Sequence, residues 1–174
     1  EAAQIYPANY WYSLLEVPDA SEFPGTGDAG NGISEGMRNQ AQWIDMTKQG
    51  CQLCHQLGNK LTRSIDHLDH LGFESSTEAW HYRTAIGIRG PFMSAFAGRF
   101  GRDRGMGMYA DWTDRIAAGE TPAAPDRPSG IERNVVVTLW DWGNESSYIH
   151  DEITTDKRNP MLNAGGKVYG VDGG

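Results

Sequence analysis

The chain has 174 residues, 39% of them hydrophobic, with 22 Gly and 8 Pro, which allows one compact domain plus extensions and a good deal of loop. A formal net charge of −8 does not suit a nucleic-acid partner, and no apolar run approaches the ~20 residues needed to cross a bilayer. The chain opens Glu-Ala-Ala-Gln without a basic segment leading into an apolar one, so it reads as a mature or trimmed form.

Residues 1–32 read as an acidic, aromatic arm. Tyr6, Tyr10, Trp11, Tyr12 and Phe23 alternate with Pro7, Pro18 and Pro24, a composition expected to lie extended on a neighbouring surface. Residues 1–37 hold six acids and no Lys or Arg, whereas residues 83–115 hold six Arg and three Asp. The basic stretch reads either as solvated surface or as a patch that steers a docking partner. Gly-Thr-Gly-Asp-Ala-Gly-Asn-Gly at 25–32 is a flexible joint. A helix is predicted from a Ser34 cap through Met37, Ala41, Trp43, Ile44 and Met46, breaking near Gly50, followed by a short helix over 51–55. Residues 56–75 are polar and irregular. Ser76 or Thr77 caps a helix running through Trp80, Tyr82 and Ala85 to Gly87, and residues 88–96 read as a loop. Met106, Tyr109, Trp112, Arg115 and Ile116 fall at helical spacings in a helix from Arg102 to Ala118, ended by Gly119 with Pro122 close behind. Trp43 or Met46 is expected to meet Tyr109 or Trp112 where the first and last of these helices cross. Residues 122–174 form a proline-rich linker and a tail, with one strong strand signal at Asn134–Trp142 that must find a pairing partner.

The most informative residues are Cys51-Gln-Leu-Cys54-His55, which hold the only two cysteines of the chain. Cys-x-x-Cys-His is the attachment sequence of c-type haem, in which two thioethers tether the porphyrin and the adjacent imidazole ligates iron. A structural zinc site would need about four ligands, and there is no second cysteine pair. A thioredoxin-type dithiol would want a βαβ context, and a disulfide across so short a loop would add little.

An electron-transfer haem needs a second axial ligand; Met raises the potential and His lowers it. The candidates are Met37, Met46, Met93, Met106, Met108 and Met161, with His67, His70, His81 and His150. Residues 86–100, Ile-Gly-Ile-Arg-Gly-Pro-Phe-Met-Ser-Ala-Phe-Ala-Gly-Arg-Phe, followed by a helix bearing Tyr109 and Trp112, resemble the methionine loop and C-terminal helix of class I cytochrome c. The resemblance covers about residues 33–119. It implies a mainly α fold of three main helices around one covalent haem c, with Cys51 and Cys54 as tethers and His55 and Met93 on the iron. Met106 and Met108 are the rivals of Met93. Two positions depart from the family: Ser94 stands where a proline follows the ligand methionine, and no proline lies between Pro24 and Pro91 to mark the loop whose carbonyl accepts from the proximal imidazole.

Leu53, Leu57, Leu61, Ile86, Phe92 and Phe96 are candidate walls of the haem site. Arg99, Arg83, Tyr82 and Trp80 are candidate donors to its propionates. His67 and His70, each beside an Asp, read as a polar loop or a metal pair, and His150-Asp151-Glu152 as a charged turn. The tail resembles, more loosely, the junction between a cytochrome domain and a following β-rich domain in large secreted bacterial proteins. The resulting expectation is a chain of three parts (1–32, 33–121 and 122–174) that transfers electrons in the periplasm or outside the cell, alone or as a module of a larger assembly. Its expected partners are redox proteins, with oligomer contacts through 1–32 and 122–174. The alternatives are an open-site haem acting as peroxidase or sensor, and the haem domain of a larger oxidoreductase or lyase.

Overall fold

The computed structural model describes residues 6, 8–123 and 129–130, and the backbone of two short strands at 149–150 and 171–172. The described chain is mainly helical. Its α-helices are α1 (Ala8–Tyr12), α2 (Gln40–Met46), α3 (Lys60–Arg63), α4 (Ser76–Arg83), α5 (Gly90–Phe100) and α6 (Arg102–Ala117). In the tail, β1 (Ile149–His150) pairs antiparallel with β2 (Val171–Asp172), Ile149 opposite Asp172. The strand expected at 134–142 lies outside the described residues, as does Met161.

Helix α6 organises the core. Gly105, Met106, Met108, Tyr109, Ala110, Trp112 and Thr113 are all buried, a stripe wide enough to be covered from two sides. On one side lies α4, capped by the Ser75 side chain at the Glu78 amide. Trp80 of α4 stacks on Tyr109 at 5.0 Å between ring centroids, and its indole N–H donates to Thr113 Oγ1 at 3.1 Å. On the other side lies Trp43 of α2, fully buried, edge-on to Phe100 at 4.7 Å and donating to Met108 Sδ at 3.3 Å. Trp43, Tyr109 and Trp112 belong to one core, but the α6 side chain that Trp43 meets is Met108, not the expected Tyr109 or Trp112.

Besides α3, which lies in the stretch read as irregular, and α4, which is capped by Ser75 rather than Ser76 or Thr77 and ends at Arg83 rather than Gly87, three elements differ from the sequence reading. Helix α2 starts at Gln40 rather than at Ser34, because Asn39 caps it by accepting from the Gln42 amide, while Gln42 Oε1 accepts from the Arg38 amide. Residues 32–34 are instead drawn into the core: Ile33 is fully buried, and the Ser34 amide donates to the Phe100 carbonyl at 2.8 Å. Second, residues 90–100 are helix, not loop. Pro91 sits in the first turn of α5, where its missing N–H costs nothing, and Met93, Phe96, Ala97 and Phe100 follow on one face. Third, residues 8–12 of the arm are helical, and Trp11 is buried. The arm is therefore part of the packed domain rather than a strip lying on its outside.

Gly101, between α5 and α6, has φ of 87°, and a Cβ there would lie 1.9 Å from the Gly32 carbonyl oxygen. Gly101→Ala is expected to cost at least about 1–3 kcal/mol, from the left-handed backbone alone. Urea denaturation followed by helical circular dichroism checks this, with the midpoint falling at constant slope.

Candidate functional site

Helix α2 does not stop at Met46. It widens into one π-helical turn, Thr47–Cys51, with the Gln52 amide donating to the Thr47 carbonyl at 3.3 Å. π-turns often occur at functional sites, because they re-aim the side chains that follow. Here the turn delivers the Cys51–His55 segment. The amides of Cys54 and His55 both donate to the Cys51 carbonyl, at 3.2 and 2.9 Å, so one turn spans both sulfurs and leads directly to the imidazole. Both cysteines are free thiols.

Gly50 permits this turn to touch α5. A Cβ on Gly50 would lie 2.4 Å from the Phe96 ring, so the ring rests on bare backbone one residue before Cys51. Met93 is half-buried on α5, one turn before Phe96 and on the same face. Cys51 Sγ accepts from the Tyr109 hydroxyl at 3.3 Å. Burial pushes the Cys51 thiol up, partly offset by that hydrogen bond, and burial holds the Tyr109 phenol well above its ordinary range. Cys51 is thus a neutral thiol near neutral pH. A dithiol oxidoreductase needs the opposite shift in its attacking cysteine.

The rival ligands have other work. Met106 is 1% exposed and its sulfur lies 3.5 Å from the Thr84 hydroxyl; Met108 accepts from Trp43; Met37 is buried in the core. His81 pairs with Asp103 at 3.1 Å. His67 and His70 are exposed, and His70 Nδ1 lies 3.0 Å from the His67 carbonyl. Among the described residues, no group of three or more His, Cys, Asp or Glu side chains could hold a bare metal ion.

The expected wall is only partly built inward. Leu57 is buried, Leu61 and Phe96 are half-buried, and Leu53, Ile86 and Phe92 are 62%, 41% and 44% exposed, beside Ile88 at 96%. Leu53 lies within the motif, and Ile86, Ile88 and Phe92 flank the start of α5; all four leave apolar side chain exposed. Together with two free thiols on one turn and an adjacent imidazole, this donor set fits a covalently tethered haem. A cavity of about 260 Å³ lies elsewhere, lined by Ile65, Leu68, Phe73 and Ala79 with Asp69, Ser75 and Ser76.

Of the expected propionate donors, Trp80 is taken by Thr113, and Arg99 lies over the Phe96 ring at 4.7 Å. Tyr82 is 38% exposed beside Phe73. Arg83 donates to the carbonyls of Ser64 (3.0 Å) and Leu61, with its guanidinium over Trp80. Burial lowers the Arg83 pKa to about 10, which leaves it charged at neutral pH. It ties the polar 56–75 stretch to α4, a role the sequence did not reveal. Arg83→Ala is expected to cost about 1.5–3 kcal/mol, the range for hydrogen bonds made by a charged group. A fall in the urea midpoint measures it; a loss under about 0.5 kcal/mol would show the tie to be idle.

The residues missed by sequence reasoning are Gly50, Gly58, Arg63 and Tyr109 as a partner of Cys51. None has a local signal, since each acts through a contact distant in sequence. No helix among the described residues is long and apolar enough to cross a membrane. No protein-family model, curated protein or solved structure matches the chain.

Proposed function

We propose that this chain is an electron-transfer protein, or the electron-transfer module of a larger assembly, built on a class I cytochrome c framework. One haem c would be tethered by Cys51 and Cys54, with His55 and Met93 as axial ligands, in a periplasmic or extracellular setting. The observation that carries this reading is the turn at 51–55: two free thiols followed at once by an imidazole, packed through Gly50 onto the helix that bears Met93. When bound, haem supplies one reversible one-electron couple. The chain's own residues do the rest. The π-turn aims both sulfurs, the Tyr109 hydroxyl fixes the Cys51 sulfur, and the Phe96–Gly50 contact keeps α5 against the motif. Apolar side chains such as Leu53, Ile86 and Phe92 would keep water from the tethered group, and that would raise the potential by disfavouring the more positive oxidised iron.

The test is expression with export and c-type haem attachment, followed by mass and absorption. Wild type is expected to gain one haem that survives denaturation and to show sharp α and β bands when reduced. Failure to attach haem, or a high-spin spectrum, overturns the reading. One observation favours an open-site haem as the second reading: Met93 is held in helical backbone, its amide donating to the Arg89 carbonyl at 2.9 Å, rather than on a free loop. Rapid carbon monoxide binding by wild type would select that alternative.

A further inference from the structure

The loop that follows His55 is held from outside by the arm. Gly58 has φ of 98°, and a Cβ there would lie 1.9 Å from the Ala8 carbonyl oxygen and 2.7 Å from the Tyr12 amide. Helix α1 therefore sits directly on the Gly58 backbone. The Gly58 amide donates to Thr62 Oγ1 at 2.9 Å, and its carbonyl accepts from the Arg63 guanidinium at 2.7 Å. That guanidinium lies 4.3 Å above the centre of the Trp11 ring, so α1 grips the loop at two points. The other side of α1 is anchored to α6. The indole N–H of Trp112, fully buried, donates to the Trp11 carbonyl at 2.9 Å, and Arg115 donates to the Leu14 carbonyl at 2.6 Å. Tyr12, at the end of α1, packs against the core cluster, and so does Cys51.

We propose that α1 is a positioning element for His55, with Trp11 and Arg63 as the positioning residues. It clamps residues 56–59 and the α3 helix that follows them against α6, and so fixes the segment from which the imidazole is presented. The inference rests on the haem reading above, because its consequence is the orientation of an iron ligand. Groups that hold a ligating imidazole tune the metal as well as the geometry.

The experiment uses the full chain, haem-loaded during export, as wild type, Trp11→Ala, Trp11→Phe and Arg63→Gln. The readouts are the midpoint potential, the low-spin electron paramagnetic resonance g values and the melting temperature. In Trp11→Ala, the ratio of reduced to oxidised protein at fixed ambient potential is expected to change severalfold or more, and the g values to move with it. Trp11→Phe keeps a ring under the cation and should restore most of both. Arg63→Gln keeps a donor for the Gly58 carbonyl but removes the cation from the Trp11 face, so it should shift both readouts in the same direction and less far. If Trp11→Ala does not fold, Arg63→Gln decides alone. Attached haem with unchanged potential and g values in the folded variants overturns the inference, even if melting falls, and leaves the haem reading standing. Wild type that attaches no haem overturns the haem reading, and the inference with it.

Discussion

Met93→Ala is expected to convert the haem-loaded protein from low-spin to high-spin, with loss of the weak red band of the oxidised form and rapid binding of carbon monoxide. The reason lies in the face of α5. Phe96 rests on Gly50, so the side of the helix that carries Met93 and Phe96 is the side turned to the motif. Losing the thioether leaves the iron without the ligand that raises its potential, so the potential should fall as well. Met93 is only half-buried, so the stability cost should lie below the 2–5 kcal/mol of a buried methionine truncation. Met106→Ala and Met108→Ala supply the reverse pattern. Both are buried, one beside Thr84 and the other accepting from Trp43, and each should cost about 2–5 kcal/mol while the red band stays. The pair of readouts, spectrum and urea midpoint, thus separates a ligand from a core methionine. An unchanged spectrum in Met93→Ala, or a lost band in Met108→Ala, sinks the assignment.

How much of this was legible in the sequence varied with the range of the forces involved. Helix α6 was readable because its end is written locally, in Gly119 with φ of 102°; α4 was readable as a helix, although its cap is Ser75 rather than Ser76 or Thr77 and it ends at Arg83 rather than Gly87. The true start of α2 was also written locally, in the Asn39 and Gln42 pair, but Ser34 is an equally good cap by composition and only the burial of Ile33 decides against it. Helix α5 was misread as loop for a different reason. Gly-Pro at its start is turn chemistry when read in isolation, and the resemblance to a methionine loop reinforced that reading. The spacing of Met93, Phe96, Ala97 and Phe100 pointed the other way, and the packing of that face settled it. The pattern of Cys51, Cys54 and His55 was visible in the sequence because it is contiguous. Its surroundings were not: Tyr109 reaches Cys51 across 58 residues, and Arg83 reaches Leu61 across 22. Glycines 50, 58 and 101 look alike in sequence, and only the neighbouring backbone or ring shows which surface each one admits.

Trp112→Ala is expected to bring the domain close to unfolding at room temperature. Trp112 is fully buried on α6 and makes an edge contact with Tyr109 at 6.5 Å. Truncating a buried tryptophan costs about 3–5 kcal/mol through lost transfer energy and the cavity left behind. Its indole N–H also holds the Trp11 carbonyl, and a buried acceptor left without its donor costs about 1–3 kcal/mol more. The two terms share one side chain and do not simply add, yet the first alone approaches the lower bound of about 5 kcal/mol for the stability of a small domain. Trp112→Phe divides the two effects. It keeps most of the ring in the core and removes only the donor, so it should cost about 1–3 kcal/mol and loosen α1 more than α4. Hydrogen exchange would show this as faster exchange at residues 8–12 and 57–63, with residues 76–83 nearly unchanged. Uniform acceleration across α4 and α6 in Trp112→Phe would mean that the indole supports the whole core and not the arm. A loss below about 1 kcal/mol in Trp112→Ala would show that α6 is not the spine of this fold. Between those outcomes lies the physical claim at stake: one indole joins the core that surrounds the cysteine motif to the arm that braces the loop behind it.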